Sequence, residues 1–358
     1  MFSSSGRSSF VESAFLRGTI LGIDVVNASG GIGGRPIEIV YRDPKCDPRQ
    51  YPAAIRDLVL NEGVTSIFGC VSSLCRKAAM PMIEKLGAVL WYPTQFEGFE
   101  HCPNILYGGQ CPNQYILPLF NYLYRRGCRR FCLIGTDSIF PRETLRVFRE
   151  LAQHKSVDIL DETYLDIADE RRFFEELQRI LRLKPDTIVS AVAPPALSQF
   201  FRSYQAAGGH APDVPIAAVT ASEIDMMLLG GDLLHDHIAV GPYFETMHNA
   251  SNDRFLAALR RRYGLAARGN MRTESAYDQV LLFARAAELA NDTELDALLD
   301  AVYRVELEAP QGTIRMDART NCTFSRPRIG VATRSGQYVV AAEADEPVEP
   351  DPFLLNYQ

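Results

Sequence analysis

The sequence has no apolar run approaching the roughly 18 residues that a membrane-spanning helix needs. It has no excess of positive charge. The 37 Lys and Arg stand against 44 Asp and Glu, giving a net charge of −7, whereas a nucleic-acid binder is usually basic. Short basic clusters at Arg125-Arg126 with Arg129-Arg130, and at Arg260-Arg261-Arg262, read as solvated helix ends and faces. The eight cysteines (Cys46, Cys70, Cys75, Cys102, Cys111, Cys128, Cys132 and Cys322) contain no C-x-x-C pair, so zinc-ribbon and thioredoxin-type motifs drop out. Cysteines scattered through a large α/β chain fit small buried hydrophobes in a reducing compartment, which points to the cytoplasm. The start, Met1-Phe2-Ser3-Ser4-Ser5-Gly6, shows neither the basic nor the apolar region of a signal peptide.

Catalytic signatures are also missing. Of the six histidines only His235 and His237 are neighbours, and no third ligand accompanies them, so no metal is expected. There is no G-x-S-x-G elbow. The Gly30-Gly31-Ile32-Gly33-Gly34 cluster follows a helical pattern and precedes a strand pattern. That reverses the order of a dinucleotide fingerprint and makes the cluster a tight turn. Neither an enzyme nor a cofactor is expected.

What is present is a long, ordinary globular composition of 358 residues, 47% hydrophobic and 23% charged, enough for two domains or one large α/β unit. Helical and strand patterns alternate along it. Helices are predicted over 9–27, 48–61, 112–126, 141–155, 169–183, 195–207, 253–263, 273–290 and 294–303. Strands are predicted at 37–41, 64–68, 88–91, 131–134, 157–164, 187–192, 216–219, 238–240, 313–316, 328–333 and 338–342. Repeated alternation implies parallel sheets covered by helices on both faces. Pro81 and Pro118 fall inside helical patterns and weigh against continuous helices there. The tail from Glu343 to Pro352 is acidic and proline-rich, but its end, Phe353-Leu354-Leu355, is apolar enough to dock.

The most informative stretch is Trp91-Tyr92-Pro93-Thr94-Gln95-Phe96-Glu97-Gly98-Phe99-Glu100, which follows a short buried strand. Open α/β folds hold ligands in such loops at the carboxyl ends of strands. A helix start at Ser73-Leu74-Cys75-Arg76-Lys77 follows another strand, and free N–H groups at a helix start point at a ligand oxygen. Further marks, in order, are Gly30 to Glu38, Pro112-Asn113-Gln114, Gly135-Thr136-Asp137, Phe140-Pro141-Arg142-Glu143, Ala309-Pro310-Gln311-Gly312 and Pro350-Asp351-Pro352.

In this order and spacing the marks resemble the amide-binding branch of the type I periplasmic-binding-protein superfamily. That branch includes the amide sensor of the aliphatic amidase operon and the urea or short-chain-amide receptors of ABC transporters. The resemblance implies an α/β fold of two doubly wound parallel-sheet lobes with a ligand cleft between them. Lobe 1 would be 1–110 plus 242–308, and lobe 2 would be 111–241 plus 309–358 with the tail. A first strand that the family places before Phe2 is missing from this sequence.

The resemblance puts Ser73, Tyr92 and Thr94 in the pocket as hydroxyl groups for a small neutral amide. Such a ligand needs donors and acceptors without unpaired charge. Val71 and Ser138 stand where the family carries aromatic residues, and Gln95 stands where the amide sensor has proline. The Ser138-Ile139-Phe140 loop of lobe 2 completes the set, and the lost walls imply a larger pocket. The main reading is a cytoplasmic ligand sensor that regulates amidase expression by lobe closure on a partner regulator. The alternative is a periplasmic receptor for an ABC permease. Nucleic acid is not an expected partner, and self-association is left open.

Overall fold

A computed structural model describes residues 1–355 except Arg7, Ile167-Ala168-Asp169 and Thr293. Two compact units emerge. Unit 1 contains Met1–Cys111, His248–Ser325 and Pro347–Gln358, and unit 2 contains Pro112–Met247 and Arg326–Glu346.

In chain order, unit 1 opens with α1 (Ser9–Ala28), α2 (Tyr51–Leu60), β1 (Ser66–Phe68), α3 (Ser73–Leu86), β2 (Val89–Tyr92) and β3 (Ile105–Tyr107). Unit 2 follows with α4 (Pro112–Arg125), β4 (Arg130–Thr136), α5 (Ile139–His154), β5 (Asp158–Leu165), α6 (Glu170–Arg182) and β6 (Thr187–Ala191). It continues through α7 (Ala196–Ala206), β7 (Ile216–Ala218), α8 (Glu223–Leu229), α9 (Gly231–Leu234) and β8 (Ile238–Gly241). The chain then returns to unit 1 for α10 (Ala250–Tyr263), α11 (Met271–Ala290), α12 (Leu295–Val302), β9 (Glu306–Ala309), β10 (Gly312–Met316) and β11 (Thr323–Phe324). It closes unit 2 with β12 (Arg328–Ala332) and β13 (Tyr338–Glu343). The predicted start of α6, Asp169, lies outside the described residues.

The core of unit 1 follows from the two-residue period of its parallel sheet, ordered β1-β2-β3. Along β2, Leu90 and Tyr92 pack with Ile55, Ile83 and Tyr107 under α2 and α3. Val89 and Trp91 face the other way, onto Leu282, Phe283 and Ala286 of α11 and Leu298 of α12. Helices α1 and α11 lie close because Gly18 has no side chain: a Cβ there would overlap the Thr273 carbonyl. A small antiparallel sheet, β11-β10-β9, completes the unit.

Unit 2 has one seven-stranded sheet, β13-β12-β8-β7-β6-β4-β5. Strands β4 to β8 pair in parallel, and β12 and β13 pair antiparallel at one edge. Ile134, Ile188 and Ile216 share one face with Leu177, Leu197 and Phe200 of α6 and α7. Phe131 meets Phe120 of α4, which in turn meets Phe148 of α5.

Several expectations change. Residues 309–325 and the tail from Pro347 belong to unit 1, not to the second lobe. Tyr107 pairs with Cys322, Ser325 pairs with Val348, and the Phe99 amide donates to the Pro352 carbonyl. The tail docks through Leu354, while Leu355 is exposed. Residues 37–41 are extended but carry no sheet ladder. Ile37 instead exchanges two hydrogen bonds with the Asn27 side chain, and Ile39 is exposed. Helices α3 and α4 run through Pro81 and Pro118. β3, α8, α9, β9 and β11 were not anticipated.

Candidate functional site

In unit 1 the residues of interest gather at the carboxyl ends of β1 and β2. The side chain of Ser72, not Ser73, caps α3 by accepting from the Cys75 amide at 3.2 Å. That leaves the Ser73 hydroxyl free to donate to Glu97 at 2.7 Å. Tyr92 ends β2 with its ring fully buried, and its hydroxyl donates to the Val71 carbonyl at 2.9 Å. The structure therefore brings Val71, Ser73, Tyr92, Thr94 and Gln95 into one neighbourhood. It also directs the hydroxyl protons of Ser73 and Tyr92 inward, onto the protein's own acceptors.

Thr94 and Gln95 differ. Thr94 Oγ1 and Gln95 Nε2 are buried, and neither has a hydrogen-bond partner among the described residues. A buried polar atom without a partner costs about 1–3 kcal/mol, and Thr94 and Gln95 carry two of them in adjacent residues. The backbone beneath them is held firmly. Ser275 of α11 donates to the Pro93 carbonyl at 2.6 Å, and Gln279 Nε2 donates to the carbonyls of Tyr92 at 3.2 Å and Leu106 at 3.0 Å. Gly109 passes so close that a Cβ there would overlap the Thr94 carbonyl carbon and the Gln95 amide.

Behind this loop lies a buried ionic cluster that sequence reasoning missed. Arg76, fully buried on α3, donates to Glu97 at 2.8 Å and to Glu100 at 2.7 Å. Lys77 reaches Glu100 at 2.6 Å, and the Tyr107 hydroxyl donates to the same carboxylate at 2.9 Å. The guanidinium lies over the rings of Tyr92 (4.8 Å), Phe96 (5.4 Å) and Tyr107 (6.0 Å). Burial disfavours charge on Arg76, but Tyr92, Glu97 and Glu100 outweigh it and hold its pKa well above the ordinary value. Burial likewise opposes ionisation of Glu100, and hydrogen bonding and charge from Arg76, aided by Lys77, bring it below the usual range. Burial pushes the Tyr92 hydroxyl up, so it stays a neutral donor. The available signal was the i, i+3 spacing of Ser73 and Arg76 on one helix face, opposite two glutamates three residues apart.

In unit 2, Ser138 and Phe140 lie just past the carboxyl end of β4. Ser138 is exposed and sits at the N-cap of α5 without a capping side-chain bond. Phe140 stacks on Tyr115 at 6.0 Å, and Tyr115 is fixed by a 2.9 Å hydrogen bond with Thr144. The segment after β7, at the carboxyl end of the same sheet, adds two groups the sequence did not flag. The Asp225 carboxylate accepts from the Ser222 amide at 2.9 Å, and the buried Glu223 carboxylate accepts from the Glu245 amide at 2.9 Å. No cluster of three or more His, Cys, Asp or Glu suited to a metal occurs among the described residues. No helix among them is long and apolar enough to cross a membrane.

Several known proteins are similar to this chain. Over 77 residues the chain is 32% identical to the leucine-, isoleucine-, valine-, threonine- and alanine-binding protein of Pseudomonas aeruginosa, covering 22% of this chain and 20% of that protein. Over 129 residues it is 22% identical to a limonene hydroxylase of Geobacillus stearothermophilus, covering 36% of this chain and 23% of that protein. The match thus spans about a fifth of the length of these curated relatives. The solute-binding protein of an ABC transporter from Rhodopseudomonas palustris, solved with p-hydroxybenzoic acid, superposes with a TM-score of 0.88 at 18% identity, covering 99% of this chain and 98% of that one. The profile of the periplasmic binding protein domain matches residues 1–358, and the chain belongs to that family.

Proposed function

We propose that this chain is an extracytoplasmic solute-binding receptor that delivers a small polar ligand to an ABC permease. The family supports a binding role, and the relatives described above as binding and solute-binding proteins favour the receptor over a cytoplasmic sensor of amides. The observation that carries the reading is the pair of buried polar atoms without partners, Thr94 Oγ1 and Gln95 Nε2, at the carboxyl end of β2. A ligand carbonyl or carboxylate oxygen would accept from both. The Ser73 and Tyr92 oxygens, whose protons are already committed, would serve as acceptors for a ligand N–H. The ions nearby are internally paired, which suits a ligand that is neutral or carries balanced charge.

A thermal-shift panel of L-leucine, L-alanine, p-hydroxybenzoate, acetamide and urea tests the reading. A ligand that binds only the folded chain raises its apparent stability, by about 2.7 kcal/mol at a hundredfold excess over Kd. An amino acid or aromatic acid giving the largest shift supports a transport receptor of the kind named above. Acetamide or urea leading the panel restores the amide branch. No shift with any of the five rejects the binding assignment for these classes.

A further inference from the structure

We infer that Cys111 and Cys322 are a disulfide pair that clamps unit 1 beside the points where the chain leaves it. Both residues are fully buried and belong to one apolar cluster with Tyr107, Phe96 and Cys102. Both are reduced thiols in this structure, and the Cys322 thiol lies within hydrogen-bonding reach of Cys111. The surrounding register is fixed on both sides. Tyr107 bridges Cys322 in parallel, the Tyr107 amide donates to the Asn321 carbonyl at 2.8 Å, and Gln110 Nε2 reaches Ser325 Oγ at 3.3 Å. A disulfide needs the two sulfurs to approach to about 2 Å. Unit 1 ends at Cys111 in one segment and at Ser325 in another, so the cross-link would tie together two of its exits.

The chemistry balances by thiol–disulfide exchange with an external disulfide. The thiolate of one cysteine attacks that disulfide, releasing one thiol and forming a mixed disulfide. The second cysteine then attacks the protein sulfur, and the second thiol leaves. The protein loses two hydrogens, and the external disulfide gains them. Burial pushes the Cys111 thiol up, and the Asp351 backbone lies against its sulfur. Exchange is therefore slow in the folded chain and fast while the chain folds. A cross-link joining residues 111 and 322 closes a long loop, and such links restrict the unfolded chain most. The inference is independent of which ligand is bound.

The test uses the full chain, refolded once with oxidised and reduced glutathione and once with dithiothreitol. Each sample is then alkylated in denaturant and mapped by non-reducing peptide mass spectrometry. The expected result is a peptide joining Cys111 to Cys322, two hydrogens lighter than the separate peptides, in the glutathione sample only. The oxidised chain should also unfold at a higher urea concentration than the reduced chain, and Cys322→Ser should abolish that difference. Alkylation of both cysteines in the oxidised sample, or linkage of Cys111 to another cysteine, overturns the pairing. Correct linkage with an unchanged urea midpoint overturns the clamp. The parent chain alone decides the pairing if the variant fails to fold.

Discussion

Arg76 and Glu97 meet at 2.8 Å with both side chains buried, one on α3 and the other in the loop after β2. This pair fixes the position of that loop against the helix start. Removing one partner of a buried ion pair costs about 3–5 kcal/mol, because the other charge is left without compensation. Arg76→Met keeps the side-chain length but leaves buried Glu97 without a cation, held only by the Ser73 hydroxyl, while Glu100 keeps Lys77 and Tyr107. Urea denaturation should therefore show a loss of that size. A loss below about 1 kcal/mol would mean that the cluster is open to water and does not organise the loop.

Gly109 permits the Thr94–Gln95 backbone to pass against it. Gly109→Ala forces a Cβ into that backbone, and overpacking of this kind costs about 1–3 kcal/mol. The expected outcome is a lowered urea midpoint together with loss of the ligand-induced thermal shift. A variant with parental stability and parental shift would show that the loop can move aside freely.

His237 gives unit 2 a defined acid sensitivity. It accepts from the Ile216 amide through Nδ1 at 3.0 Å and packs against the rings of Phe201 and Tyr204. Burial, aided by His235, lowers its pKa from 6.5 to about 3. Because the folded value lies below the unfolded one, its stabilising effect is fully present above pH 6.5 and is lost as pH falls towards 3. The slope is about 1.4 kcal/mol per pH unit. His237→Asn retains an acceptor for Ile216 and cannot charge. The parent-minus-variant difference in unfolding free energy should shrink steadily between pH 6.5 and 4, and a constant difference would remove His237 as the cause.

Asp278 acts in the opposite direction. It is buried beside Glu274 on α11, and Gln311 Nε2 donates to both carboxyl groups at 3.3 Å. Burial first, and the neighbouring Glu274 charge second, raise its pKa well above the ordinary value. A carboxyl group that is harder to ionise when folded supports stability fully at low pH. That support is lost as pH rises from the unfolded pKa towards the folded one. Asp278→Asn should be close to neutral near pH 4 and stabilising near pH 8, read as a difference from the parent in urea. Destabilisation at the higher pH would show that the ionised form is the one the fold prefers.

Much of this was legible in the sequence, and the failures have local causes. The alternating elements from Pro112 to Ala218 were readable because most strands there are short apolar runs between amphipathic helices, as with β4 between α4 and α5. β3 escaped notice because Ile105-Leu106-Tyr107 is too short to show a period, and all three residues are buried. Residues 37–41 alternate well, but alternation describes side chains and cannot supply the neighbouring backbone a ladder needs. At the site, the family resemblance singled out Ser73, Tyr92 and Thr94 as candidates, but it could not tell which hydroxyls the protein would use itself. That depended on Glu97 and the Val71 carbonyl, which only folding brings within reach. The Arg76 cluster was hidden for a related reason: charged residues are expected at the surface, and burial of the Arg76, Glu97 and Glu100 side chains together is a tertiary fact.

The central proposal is that the loop after β2 holds a small solute through Thr94 Oγ1 and Gln95 Nε2, which have no partner among the described residues. Thr94→Val tests it most directly, by calorimetric titration of parent and variant with the solute that gives the largest thermal shift. The substitution removes a buried hydroxyl that has no partner among the described residues. The unliganded variant should therefore be as stable as the parent or up to about 1 kcal/mol more stable, while its affinity falls by about 1–3 kcal/mol, roughly fivefold to 150-fold. Unchanged affinity, or a variant destabilised without ligand, would contradict the account and place the solute elsewhere.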